Sequence, residues 1–133
     1  MIRPVISELR LEHLPGLSRL FHAVDMAYAT VWEWNTDNCL VATHEDEVVG
    51  FVACWHDNQP YAFVDVLLVH PTHKGQGIGA WLCWAMEAIL VSRGVKCIRC
   101  VASVPEIVPP LTKEGFQHAG THAILEKFYV QGV

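Results

Sequence analysis

The amino-acid sequence predicts an α/β fold in which helices flank a mixed, mostly antiparallel sheet. Two kinds of segment carry this prediction. Runs rich in β-branched and apolar residues indicate strands, and stretches whose apolar residues recur at three- and four-residue spacings indicate helices packed on a core. With 133 residues the chain has room for one core, so we expect a single domain over residues 1–133.

The first half of the chain predicts a strand, a helical region and a hairpin. We expect the strand near residues 2–4 and one or two helices that end at about residue 34. Residues 39–56 consist of two apolar runs joined by an acidic turn, which is the pattern of a β-hairpin.

The second half begins with the strand pattern of residues 61–70, which Pro71 and Thr72 close as turn residues do. A helix pattern follows over residues 81–93, and Gly94 is a suitable stop. Beyond it we expect a strand at residues 96–103, a short helix or turn at 105–114, and a final hairpin that runs through residue 129.

Between this strand and this helix lies the sequence HKGQGIGA, residues 73–80. Its glycines at 75, 77 and 79 allow positive φ and a close approach of the backbone, so that amide N–H groups and the positive helix end converge on an anion. A pyrophosphate suits such a cradle. A nucleotide P-loop fits poorly because Ala80 and Trp81 follow the last glycine, and a dinucleotide fingerprint would lie near the start of a longer alternating chain.

Residues 74–79, KGQGIG, resemble the acetyl-CoA loop of the GNAT superfamily of N-acetyltransferases, whose pattern is Q/R-x-x-G-x-G/A. The resemblance covers nearly the whole chain and implies the acyl-CoA N-acyltransferase (GNAT) fold, with acetyl-CoA as cosubstrate. Four further pieces occur in the family's order: the opening strand and helix at 2–4 and 12–14, the second and third strands at 39–54 with Gly50, the strand ending at 69–71, and the late element at 114–117.

The resemblance also implies which residues hold acetyl-CoA. In the family the strand before the loop diverges from the strand after its helix, and the pantetheine arm enters that gap. Backbone groups of Leu67, Leu68 and Val69 would pair with pantetheine. Lys74 stands where the family more often has Arg or Gln, and its ammonium still serves a phosphate as a point charge. The residues implied for the pyrophosphate are Lys74, Gly75, Gln76, Gly77, Ile78, Gly79 and Ala80.

Asp65 is the strongest candidate for the general base. A carboxylate between two valines of a central strand is costly to bury without a partner or a function. A paired structural carboxylate, or one that faces outward, is an equally weighted alternative. Glu106 and His70 are weaker candidates, and a simple turn hydrogen bond would explain His70. A backbone N–H near Leu67 or Leu68 is expected to polarise the thioester carbonyl.

Two side chains that assist catalysis in many family members are missing. Leu111 takes the place of the tyrosine that protonates the leaving thiolate, and Val104 takes the place of an asparagine. Ser103 and Cys100 lie near enough in sequence to substitute, although a strand-end hydroxyl and a core thiol explain them better. A non-catalytic CoA-binding or structural protein is therefore an open alternative, as is an acyltransferase for longer acyl chains.

The five cysteines lie in apolar runs, which suits buried thiols in a reducing compartment. Cys97 and Cys100 together with His118 and His122 imitate a set of zinc ligands. Their spacing is longer than a zinc finger allows, and residues three apart on a strand face opposite sides, so we expect no metal.

The net charge of −5 argues against general nucleic-acid binding, since no basic stripe could neutralise several phosphates. No apolar run reaches the roughly 18 residues of a membrane span, and charged residues interrupt the N-terminal segment where a signal peptide needs an apolar core. We expect a cytoplasmic enzyme with a small-molecule or protein amine as acceptor. A buried helix or a homodimer contact would explain the apolar residues 81–86. The resemblance implies that the acceptor lies between the first helices and the final hairpin, where a recess for the amine would draw on Asp25, Tyr28, Trp32, Glu33 and Trp34, although two tryptophans near a helix end are more often core or interface residues.

Overall fold

The computed structural model describes residues 3–25, 38–56, 60–101, 108–113, 115–118 and 124–128. The strands are β1 (Val5–Glu8), β2 (Cys39–His44), β3 (Glu47–Trp55), β4 (Tyr61–Val69), β5 (Cys97–Val101), β6 (Gln117–His118) and β7 (Ile124–Phe128). The helices are α1 (Leu14–Ala23), α2 (Ile78–Ser92) and α3 (Val108–Lys113), with 3₁₀ turns at Leu11–His13 and Pro71–His73.

In the described ranges the seven strands form one sheet, in the order β1-β2-β3-β4-β5-β7-β6. The pairing of β4 with β5 is parallel, and the other five pairings are antiparallel. A parallel pair requires a crossover connection, which α2 provides. The predicted fold class, a mixed and mostly antiparallel sheet flanked by helices, is confirmed.

The two longer helices pack on opposite faces of the sheet. Neighbouring residues of β2 show this, because Leu40 lies in the apolar cluster under α2 whereas Val41 lies in the cluster under α1. The residues that α2 buries recur every four positions, as the helical spacing requires: Ile78, Leu82, Met86 and Leu90. The sheet therefore separates two apolar layers, each closed by one helix.

Gly50 of β3 lets α2 approach the sheet closely. A Cβ atom at Gly50 would lie 2.9 Å from Cγ2 of Ile78 and 2.9 Å from Cδ1 of Leu82, which is closer than side chains normally come. Gly50 is matched with Val69, the last residue of β4. The first turns of α2 are thereby held against the sheet beside the end of β4.

Two features differ from the predictions made from the sequence. β1 begins at Val5, beyond the predicted residues 2–4, because Pro4 has no N–H to donate to the ladder. α2 begins at Ile78, three residues before the predicted start at 81, since Gly77 with φ of 81° turns the chain directly into the helix. The antiparallel pairing of β6 with β7 agrees with the predicted final hairpin, and β7 also pairs with β5.

The longest of the described helices is α2, with 15 residues. At about 1.5 Å per residue it spans roughly 22 Å, short of the roughly 30 Å hydrocarbon core of a bilayer. Among the helices in the described ranges, none is long and apolar enough to cross a membrane.

Candidate functional site

The two halves of β4 have different neighbours. The first half pairs with β5 in parallel, and the last matched residues are Val64 and Cys100. Residues 66–69 continue along β3 as far as Val69, which is matched with Gly50, and in the described ranges they have no match on β5. Among the described residues the pairing of β4 with β5 therefore ends at Val64, and no described strand covers the second edge of residues 66–69; we call the space along this edge the gap.

Asp65 forms a β-bulge where this gap begins. Cys54 of β3 is matched with Val64 and Ala53 is matched with Val66, so Asp65 is an extra residue on β4. A bulge bends its strand and increases the local twist, which favours the divergence of β4 from β5. The structure describes the backbone of Asp65 and not its side chain. The backbone of Asp65, the predicted general base, thus lies directly after the last residue of β4 that is matched with β5.

The register shows which backbone groups of β4 face the gap. The N–H of His70 donates to the C=O of Val49 over 2.8 Å, so these two residues form a hydrogen-bonded pair. Such pairs alternate along an antiparallel ladder. The backbone groups of Leu68 therefore point to β3, and those of Leu67 and Val69 point to the gap.

The side chains of the same residues alternate in the same way. Leu68 is buried in the cluster under α1, whereas Leu67 and Val69 pack against the cluster under α2. Of the three residues predicted to pair with pantetheine, Leu67 and Val69 thus present free strand edge to the gap in the described ranges. Leu68 supports them by holding β4 to β3.

The glycine loop leads from β4 into α2. Gly75 has φ of 79° and Gly77 has φ of 81°, values in the left-handed region that glycine adopts most easily. Gly77 is the N-cap residue of α2, and it has no side chain to hydrogen-bond the first N–H groups of that helix. These N–H groups and the positive end of the helix dipole form a site suited to an anion.

The space around the loop fits a bulky anionic group. A Cβ atom at Gly75 would meet no atom within 4 Å, and one at Gly79 would lie 3.6 Å from Cγ2 of Val69. Ile78 is buried in the core under α2 and anchors the loop, while Lys74 is exposed in front of it and Ala80 is partly buried in the first turn. Oε1 of Gln76 is buried and has no hydrogen-bond partner in the described structure. An unpaired buried acceptor is costly, so the loop has unused capacity for polar contacts with a ligand.

Cys100 lies where β4 and β5 separate, and its chemistry is limited by burial. Burial raises the pKa of its thiol to about 11. At neutral pH it is therefore a thiol rather than a nucleophilic thiolate. An ordinary thiol has a pKa of about 8.5, so Cys100 is the weaker acid. Proton transfer from Cys100 to a departing thiolate would therefore be unfavourable. Cys100 is a core residue at this position.

The remaining predicted residues divide into placed and unplaced groups. His70 makes the turn hydrogen bond that its position predicts, because its Nδ1 accepts from the N–H of Thr72 over 3.2 Å. Leu111 of α3 packs against the cluster under α2 and carries no proton that could be donated. Asp25 is exposed just beyond α1. Ser103, Val104, Glu106, Tyr28, Trp32, Glu33, Trp34 and His122 lie outside the described residues.

Sequence reasoning missed the polar contacts at the start of the loop. Thr72 Oγ1 lies 2.9 Å from Nδ1 of His70 and 3.0 Å from Nδ1 of His73. The signal was present as the sequence His-Pro-Thr-His, in which two imidazoles flank a turn hydroxyl just before the glycines. The bulge at Asp65 was missed as well, and a lone carboxylate in an apolar strand was its only trace.

Comparison with known proteins agrees with this geometry. The model of the acetyltransferase (GNAT) family matches residues 6–106. The chain belongs to the GNAT acetyltransferase family. No curated protein matches the sequence significantly.

Solved structures similar to this chain share its fold at low sequence identity. Ard1 from Thermoplasma volcanium has a TM-score of 0.80 and 16% identity, and the match covers 98% of this chain and 100% of that one. The PaiA N-acetyltransferase from Thermoplasma acidophilum, solved in complex with coenzyme A, has a TM-score of 0.74 and 17% identity, covering 96% and 100%. The ribosomal-protein-S18-alanine N-acetyltransferase from Escherichia coli has a TM-score of 0.73 and 18% identity, covering 98% and 99%.

Proposed function

We propose that this protein is an N-acetyltransferase that moves the acetyl group of acetyl-CoA to a primary amine of a small molecule or a protein. One observation carries the proposal. Among the described residues the pairing of β4 with β5 ends at Val64, and the edge of residues 66–69 that no described strand covers leads into a glycine loop that caps a 15-residue helix. A gap that ends in an anion site suits a ligand with a long polar arm joined to a pyrophosphate. Family membership and the CoA complex of the PaiA neighbour support the same ligand.

In this proposal the pyrophosphate lies on residues 74–80, where loop N–H groups, the N-terminus of α2 and the ammonium of Lys74 face it. The pantetheine arm lies along the second half of β4 and pairs with backbone groups of Leu67 and Val69. This arrangement orients the thioester at the point where the bulge separates β4 from β5. The bound acetyl-CoA supplies an activated acetyl group.

The acceptor amine then attacks the thioester carbonyl carbon directly. The N–H of Leu67, which the register points into the gap, is our choice for the donor to the developing oxyanion, and such donors contribute on the order of 100-fold or more to rate. Asp65 accepts the proton that the amine loses, directly or through water. Ser103 and Glu106 remain proposed participants in proton transfer, and the departing thiolate takes up, through Asp65 or solvent, the proton that the amine has lost and leaves as CoA thiol.

The cellular setting is part of the proposal. None of the five cysteines, all of which lie in the described ranges, forms a disulfide, and four of them are buried, which supports a reducing compartment such as the cytoplasm. Trp84 on the outer side of α2 is 45% exposed and forms a T-shaped aromatic pair with Trp81, with ring centroids 5.6 Å apart. This apolar surface supports a homodimer contact.

A second function is favoured by one specific observation. Leu111 stands where many family members have the proton-donating tyrosine, and its side chain packs into the core cluster under α2. A protein that binds CoA without turning it over would show this feature. Such a protein would bind CoA with the same loop and gap and would not catalyse acetyl transfer.

The test separates the two functions in one series of measurements. Calorimetric titration with acetyl-CoA and with free CoA measures binding, and release of free thiol in the presence of a panel of small amines and N-terminal peptides measures transfer. Binding together with amine-dependent thiol release supports the acetyltransferase. Binding with no release on any acceptor supports the non-catalytic protein, and absence of binding overturns both.

A further inference from the structure

An ion pair crosses the apolar layer under α2. Nζ of Lys127 in β7 donates to Oε2 of Glu87 in α2 over 3.0 Å, and the two side chains are only 24% and 14% exposed. Lys127 is matched with Ile98 of β5, which belongs to the apolar cluster under α2. The pair therefore joins the helix to the strand beyond β5 through the edge of this cluster.

Stability alone does not explain the pair. Oε1 of Glu87 is buried and has no hydrogen-bond partner in the described structure. Because a buried ion pair repays the loss of hydration only when its remaining polar atoms are also satisfied, apolar side chains of similar volume would stabilise the fold at least as well. What the pair adds is a fixed position for Lys127, since a hydrogen bond has a narrow geometry and apolar contacts repack more freely.

The side chain of Lys127 holds the turn between α3 and β6. A Cβ atom at Gly115 would lie 3.2 Å from Cε of Lys127, so the lysine stem passes directly over this glycine. Nζ of Lys127 lies 5.9 Å from the ring centroid of Phe116, within reach of a cation–π contact. The N–H of Phe116 donates to the C=O of Leu111 over 3.0 Å, which joins the turn to α3. The ion pair thus fixes Phe116 relative to α2.

Phe116 and Glu87 are walls of one small cavity between α2 and the sheet. The other walls include Val52, Val64, Met86 and Ile98. The cavity has room for about one group of the size of a water molecule or a methyl. Val64 is the last residue of β4 that is matched with β5, and Asp65 follows it. The cavity therefore lies beside the position at which the proposed function places the thioester.

We propose that this cavity receives the methyl end of the acyl group, and that the Glu87–Lys127 pair limits the length of that group by holding Phe116 as its wall. This inference rests on the proposed function and specifies its acyl donor as acetyl-CoA in preference to a longer acyl-CoA. The named walls other than Glu87 are apolar, which suits a methyl group, and a longer chain would have to displace Phe116. Glu87 and Lys127 act through Phe116 and are therefore positioning residues.

The experiment is calorimetric titration of the full-length protein with free CoA and with acetyl-, propionyl- and butyryl-CoA. The key variant is the double substitution Glu87→Leu/Lys127→Met, which removes both charges of the pair together and nearly keeps their volume. Phe116→Leu shortens the wall itself and keeps the pair. The control is Arg93→Met, which removes the hydrogen bond that Nη1 of Arg93 donates to Oδ1 of Asn38 over 2.8 Å at the C-terminal end of α2.

In the wild type and in Arg93→Met, propionyl-CoA should bind at least about fivefold more weakly than acetyl-CoA, because an extra methylene overfills the cavity. In Phe116→Leu and in the double variant this difference should fall to about twofold or less, since the wall is smaller or able to move aside. The affinity for free CoA should stay within about twofold in all four proteins, because the glycine loop is unchanged. Thermal unfolding of the double variant should lie near that of the wild type.

The ratio between the acyl-CoA affinities separates this role from a purely structural one, which would change all the affinities alike. A wild-type ratio in the double variant, together with a lowered ratio in Phe116→Leu, overturns the role of the ion pair. Equal binding of the three acyl-CoAs by the wild type overturns the acyl cavity and leaves the proposed function standing. Absence of CoA binding in the wild type overturns both.

A second variant covers the case in which the double variant does not fold. Glu87→Gln removes one charge of the pair with little change in size, and its amide oxygen can still accept from Lys127. The weaker contact should lower the ratio of acetyl-CoA to propionyl-CoA affinity in the same direction as the double variant. An unchanged ratio in Glu87→Gln, with a lowered ratio in Phe116→Leu, counts against the pair.

Discussion

The first and second halves of β4 belong to one strand and differ in the strands with which they are matched. Residues 61–64 are matched with β5, and this half serves as an interior strand. Residues 66–69 are matched with β3, and within the described ranges their other edge carries no strand. The two halves are equally apolar in sequence, so composition does not distinguish them. The difference arises at one residue, the bulged Asp65.

This contrast shows how a sheet can offer a ligand site without a cavity of its own. A strand edge inside a folded domain carries N–H and C=O groups that need partners. At Leu67 and Val69 these groups face the gap, while Leu68 between them holds the strand to β3. In the proposed function the pantetheine arm hydrogen-bonds to this edge, which no described strand covers. Four sets of substitutions test this view, from the largest expected effect to the smallest.

The glycine loop that follows the second half of β4 is tested by Gly77→Glu. The new carboxylate would lie at the N-terminus of α2, where it occupies the anion site, and we expect CoA affinity to fall by more than about 100-fold. A glutamate at position 77 must also adopt the backbone φ of 81°, which costs about 1–2 kcal/mol of stability. Calorimetric titration with CoA measures the loss of affinity.

Gly94→Glu is the matched control for this strain. Gly94 has φ of 91° just beyond the other end of the same helix, and a Cβ atom there meets no atom within 4 Å. Both variants should lose similar stability in thermal unfolding, and only Gly77→Glu should lose CoA binding. Equal loss of binding in both would mean that helix strain, and not the anion site, explains the effect.

The boundary between the halves is tested by Asp65→Asn. Loss of a general base typically costs about 100-fold or more in turnover, and the amide keeps nearly the same size and leaves CoA affinity within about twofold. Amine-dependent thiol release over a range of pH measures the change. If the variant keeps the wild-type rate and pH profile, Asp65 is a structural residue of the bulge.

Sequence reasoning predicted the loop and its helix because their signals are local. Glycine adopts positive φ at little cost, as Gly75 and Gly77 do here, and the core residues of α2 follow from their spacing alone. The bulge at Asp65 and the inward or outward direction of Leu67 depend on which residue of β3 lies opposite, and this register is set by packing far away in sequence. Leu111 was found only as a departure from a family pattern, and Ser103 and Glu106 stay predictions.

The assignment of backbone directions is tested by a pair of proline substitutions. Leu68→Pro removes an N–H that points to β3, leaving a buried carbonyl unpaired, and should cost about 2 kcal/mol or more of folding free energy. Leu67→Pro removes an N–H that points to the gap, and should spare the fold while weakening CoA binding. Denaturant unfolding and CoA titration of both variants measure the two effects. The opposite pattern would show that the register has been assigned to the wrong edge.

The packing of α2 against β3 is tested by Gly50→Ala, which has the smallest expected effect of the four. The added Cβ would lie 2.9 Å from both Ile78 and Leu82, so α2 must shift away from β3, and overpacking of this kind costs about 1–3 kcal/mol. Because Gly50 is matched with Val69, the shift widens the space between the end of β4 and the first turn of α2. We therefore expect lower stability together with a several-fold loss of CoA affinity, measured by unfolding and by titration. Lower stability with unchanged affinity would show that the loop keeps its geometry without the support of β3, and that residues 66–69 of β4 are sufficient to define the site.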